Sequence, residues 1–198
     1  MSEGVEKVFY AIESLPEAKA VELLKKKLSV NKNQLNPWQI NGIVNLCGGV
    51  PALLKVLAGF IINSGERNAV ENYKTLMKEA KEKNWKSYIG ERIEQYVFAY
   101  DKLEDKLKDP LLDICSFFRG WDWKELSDIV GGPELRELEE RALVTRDVKS
   151  MTARVHDVIL EVGLQRAQGN RFRLTTATEI EKFLEVEVHN LSTKIFII

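Results

Sequence analysis

Cys47-Gly48-Gly49-Val50-Pro51-Ala52-Leu53-Leu54 decides how this chain divides into helices. A glycine pair suits the end of one helix, because glycine adopts left-handed backbone without a Cβ clash. A proline two residues later suits the first turn of the next helix, where its missing N–H is not needed. Upstream, Ile40, Ile43, Val44 and Cys47 recur at helical spacing behind Asn36-Pro37, with Trp38 counted among the apolar residues of that helix. Downstream, Leu53, Leu54, Leu57, Phe60 and Ile61 make a segment apolar nearly all round. The helix that starts at Pro51 is therefore expected at the centre of the core, ending at Ser64-Gly65.

Further out, residues 6–10 suggest the end of a strand. Ser14-Leu15-Pro16-Glu17 then opens an amphipathic helix, with Ser14 as cap and Ala18, Val21, Leu24 and Leu28 on its apolar side. Residues 68–83 and 89–100 carry two more helical patterns, so the first half is expected to be a bundle of four or five short helices. Beyond it, Asp109-Pro110 punctuates the chain before an apolar run at 111–118. Helices are expected at 124–130 and 134–142, with Gly131-Gly132-Pro133 as the turn between them. Two short strands, 143–146 and 152–155, lead to a last helix opened by His156-Asp157. That order is the order of a winged helix-turn-helix. The expected fold is mainly α: a four/five-helix bundle over 1–102, a winged helix-turn-helix over 103–188, and a tail over 189–198.

Composition narrows the function classes. With 29 basic and 30 acidic side chains the net charge is −1, which argues against a general polyanion binder. The helix at 134–142 would be the reading helix of a DNA-binding protein, yet Glu134, Glu137, Glu139 and Glu140 outnumber Arg136 and Arg141, so phosphates would be repelled. Two cysteines, Cys47 and Cys115, sit in apolar runs and suit buried hydrophobes better than a zinc site or disulfide. The greasiest stretch, 50–62, carries Lys55 and is shorter than the about 20 residues a bilayer requires. A cytoplasmic protein is expected, with the nucleus as a further compartment.

No catalytic set is present. No G-x-x-x-x-G-K-[ST] occurs, since neither Gly48-Gly49 nor Gly131-Gly132 is followed by the required lysine. Two positions are open to two readings. Pro51 either only initiates its helix, or also offers a rigid apolar face to a planar ring behind glycines that let a ligand approach. His156 is either a polar boundary residue beside a capping Asp157, or a donor whose Nε2 meets an anionic oxygen at a helix N-terminus.

Cys47 to Leu54 resembles the GLPL motif of the NB-ARC nucleotide-switch module of plant NLR immune receptors, with Val50 and Ala52 in place of two leucines. Val155-His156-Asp157 is similar to the MHD motif of the same module, valine replacing methionine. Tyr100-Asp101 with Leu103 and the run at 111–118 resemble the start of that module's winged-helix subdomain, and the Gly169-Asn170-Arg171-Phe172-Arg173-Leu174 tail is similar to that of the TIR-type receptors. The resemblance implies a switch rather than an enzyme. Gly49 and Pro51 would lie at the adenine of ADP or ATP, His156 at the β-phosphate, and Asp157 would serve as helix cap and regulatory residue. The implied partners are a P-loop nucleotide-binding domain and a leucine-rich repeat region, with no nucleic acid, membrane or metal. The P-loop itself is missing, so the chain is expected to be a fragment that binds nucleotide weakly on its own. The apolar end, 195–198, is expected either to promote self-association as an unpaired strand or to fold back onto the body. The alternatives are a winged-helix DNA-binding protein and a ligand-free protein-interaction module.

Overall fold

The computed structural model describes residues 14–28, 35–63, 68–85 and 93–168. The strand expected at 6–10, the start of the helix expected at 89, the glycine-led tail and the apolar end at 195–198 all lie outside them. The described part is mainly helical: α1 (Glu17–Leu28), α2 (Pro37–Cys47), α3 (Pro51–Asn63), α4 (Ala69–Glu82), α5 (Ile93–Asp101), α6 (Asp105–Asp113), α7 (Trp123–Val130), α8 (Gly132–Glu140) and α9 (Asp157–Ala167). A π-helical turn, Ile114–Phe118, continues α6. β1 (Thr145–Arg146) and β2 (Ala153–Arg154) form an antiparallel ribbon with Thr145 opposite Arg154. No helix among the described residues is long and apolar enough to cross a membrane.

The local chemistry explains most helix starts. Asn36 caps α2 with a full capping box: its side chain accepts from the Gln39 N–H, and the Gln39 side chain accepts from the Asn36 N–H, both at 2.9 Å. Asn68 caps α4, and Asp122 caps α7 by accepting from the N–H groups of Lys124 and Glu125. α1 departs from the expectation. The Pro16 carbonyl takes its first backbone bonds, so the helix starts at Glu17 with Pro16 rather than Ser14 at its edge. Its buried stripe is Ala20, Leu24 and Leu28, while Ala18 is exposed.

α3 is the centre of the fold, as its composition predicts. Leu53, Leu54, Leu57, Ala58 and Ile61 have no exposed surface, and α1, α2, α4 and α5 pack around it. Trp38 breaks the expectation for α2, standing 76% exposed while Ile40, Ile43, Val44 and Cys47 turn inward. It lies in the first turn of α2, before the buried stripe begins at Ile40.

Asp109-Pro110 does not interrupt the chain: α6 runs through it. An interior proline costs a helix about 3 kcal/mol. Burial of Leu107, Leu111 and Leu112 at roughly 1.5–3 kcal/mol each outweighs that. The following turn relaxes into π geometry, with Ile114 and Cys115 buried. Gly132-Pro133 likewise belongs to a helix rather than to a turn, Pro133 occupying the first turn of α8. Both strands are shorter than expected, two residues each, with the turn between them held by Asp147 accepting from the N–H groups of Lys149 and Ser150.

One continuous apolar cluster runs from Ala20 to Ala167. It crosses from the first half to the second where α5 packs on α9 and where α3 meets the end of α8.

Candidate functional site

The Gly48-Gly49 turn is left-handed at both residues, with φ of 52° and 74°. Leu15 donates its N–H to the Gly49 carbonyl at 2.9 Å, and a Cβ on Gly49 would lie 2.5 Å from the Leu15 carbonyl oxygen. The close approach that the missing side chain permits is thus made by the chain's own Leu15, and Gly49 is buried. Val50 follows with its carbonyl accepting from Leu54, and Pro51 sits half-buried as the first residue of α3.

His156 stands at the other expected position. It adopts extended backbone, φ −66° and ψ 140°, and is itself the N-cap of α9. Its Nδ1 accepts from the Val158 N–H across a long 3.4 Å. This corrects the cap assignment: Asp157 is the first helical residue, where a carboxylate favours the helix dipole without serving as the cap. In a neutral imidazole whose Nδ1 accepts, the proton sits on Nε2, which is then the donor. The imidazole is exposed and lies parallel to the Tyr96 ring of α5, with centroids 6.1 Å apart and planes 9° apart.

Gly49 with Pro51, and His156 with Asp157, therefore form two pairs at two helix starts. Neither Pro51 nor His156 is sealed in the core. Among the described residues, no hydrogen bond or ring contact joins one pair to the other.

A third cluster escaped the sequence. Arg141, just past α8, is 3% exposed. Its guanidinium donates to the Asn63 carbonyl at the C-terminus of α3, and to Glu137 Oε1 at 2.7 Å. Glu137 is also paired with Lys106 at 3.2 Å. Burial pushes the Glu137 carboxyl up, but hydrogen bonds from Arg141 and Lys106 outweigh it and hold the group below the usual carboxylate range. Gly59 makes this junction possible, because a Cβ there would lie 2.5 Å from the Arg141 Cα. A lone glycine inside an otherwise apolar helix was the available signal. Beside the junction lies an open groove of about 430 Å³, lined by Asn63, Glu104, Arg136, Glu137 and Glu140 among others. It sits at the far end of α3 from Pro51, about 18 Å away along a 13-residue helix.

The cysteines are structural in character. Cys47 is fully buried, and burial pushes the Cys115 thiol up to about 12. Gly163 of α9 rests on Cys115, where a Cβ would meet the Sγ at 2.6 Å. No group of three or more metal-ligating side chains is assembled among the described residues. In comparison with known proteins, the chain matches no protein-family model and no curated protein.

Proposed function

We propose that this chain is the regulatory part of an ADP/ATP-dependent switch of the NB-ARC type, as in plant immune receptors, contributing nucleotide contacts without catalysis. The observation that carries the reading is His156: an exposed histidine at the N-cap of α9, its Nδ1 engaged by the Val158 N–H and its Nε2 left as donor. That is the side chain a β-phosphate would meet at a helix N-terminus. Half-buried Pro51, the first residue of the core helix, would supply an apolar face for adenine. On this reading the ribbon and α9 belong to a winged-helix unit, and the phosphates are cradled by a separate P-loop domain. A leucine-rich repeat region is the other partner, and the compartment is the cytoplasm or nucleus.

The chain carries no Walker loop, so no hydrolysis is assigned to it. The test is retention of a separately expressed P-loop domain on immobilised chain. Retention that requires ADP, and that His156→Ala abolishes, supports the switch. Retention independent of ADP and of His156 overturns it. It favours the ligand-free interaction module.

A further inference from the structure

We infer that Tyr96 is a positioning residue for His156. What the imidazole is aimed at rests on the switch reading above; the positioning itself does not. An exposed histidine ordinarily samples several rotamers about χ1 and χ2. Here two restraints act on one ring. The Tyr96 face lies parallel to it at 6.1 Å, within the range of offset stacking. The Val158 N–H bonds to Nδ1 from the same helix turn. Tyr96 is 3% exposed, so its ring is held by the core, and the imidazole leans on a fixed plate.

The two helices also meet at the other end of α9. Arg166 pairs with Asp101 of α5 at 2.9 Å and lies over the Tyr100 ring at 5.7 Å. α9 packs along α5, and this pair closes the far end of the same helix contact that carries the stack. A side chain ordered in advance removes a cost from ligand binding. Leaving His156 unrestrained would weaken an anion contact by roughly 2- to 10-fold.

The experiment uses the full chain and proton NMR. The chain has two histidines, His156 and His189, so a His156→Gln spectrum assigns the ring signals. The expected result is cross-relaxation between the His156 and Tyr96 ring protons, and a single ordered His156 rotamer. Tyr96→Phe should keep both. Tyr96→Leu should lose the ordered rotamer while the amide spectrum stays folded. Absence of cross-relaxation in the unaltered chain overturns the inference without any variant, so a misfolded Tyr96→Leu cannot rescue it. An ordered His156 in a folded Tyr96→Leu overturns it as well. ADP-dependent retention of the P-loop domain is read separately. A 2- to 10-fold loss in Tyr96→Leu, absent in Tyr96→Phe, supports the use of the stack in binding. His156→Ala without effect on retention overturns the switch reading while leaving the spectral test of positioning intact.

Discussion

The turn that opens α3 is left-handed and closed, whereas the lead into α9 is extended and open. Each carries a short motif, and each delivers a buried helix face to the core. At the first, Gly49 is closed off by the backbone of Leu15, so its glycine serves packing within the chain. At the second, His156 remains exposed, with one ring nitrogen turned back to its own helix. The difference teaches that a helix start is set locally, whereas the use of that start depends on what the rest of the chain lays across it. Leu15 covers one turn; Tyr96 only backs the other.

Gly49→Ala tests the closed turn and should have the largest effect. The substitution adds left-handed strain and a clash with the Leu15 carbonyl, together about 3 kcal/mol. The urea midpoint measures it, and a value within about 0.5 kcal/mol of the parent would mean that Leu15 does not seat on Gly49. Gly59→Ala should come next, at about 1–2 kcal/mol net destabilisation. Alanine gains up to about 1 kcal/mol of helix propensity, but its Cβ overpacks the Arg141 backbone. A stabilised Gly59→Ala would show that α3 and the end of α8 can part without cost.

Acid should loosen the same junction. Because the folded-state pKa of Glu137 lies below its ordinary value, its contribution is present above the carboxylate range. It is lost as pH falls through the folded value. Glu137→Gln should therefore flatten the acid limb of a stability–pH curve, and an unchanged slope would remove Glu137 from the account.

The smallest effect belongs to the open turn. Asp122→Ala removes two bonds at 2.8 and 3.2 Å and should cost about 1 kcal/mol. His156→Ala removes one bond at 3.4 Å and should cost roughly 0.5 kcal/mol or less, by the same denaturant measurement. A larger loss at His156 than at Asp122 would make the histidine a structural residue first, and would erase the contrast between the two turns.

The sequence by itself determined the helical class and the central place of α3. These follow from short-range causes, apolar spacing and a glycine pair, whereas the two caps it named, Ser14 and Asp157, were both displaced. Tertiary structure alone decided the rest. Pro110 stays inside α6 because leucines on both sides of it are buried, an outcome its local cost argues against. Trp38 is exposed because the buried stripe of α2 begins two residues later. The cap of α9 is a local matter instead: the helix begins at Asp157, which puts His156 in the N-cap position. Arg141 was legible only as one charge among many. It became the bridge between α3 and α8 because Gly59 leaves room for its backbone and the C-terminus of α3 offers a carbonyl to a cation. Such pairings join residues dozens of positions apart, and no local pattern encodes which distant backbone will fill a missing side chain.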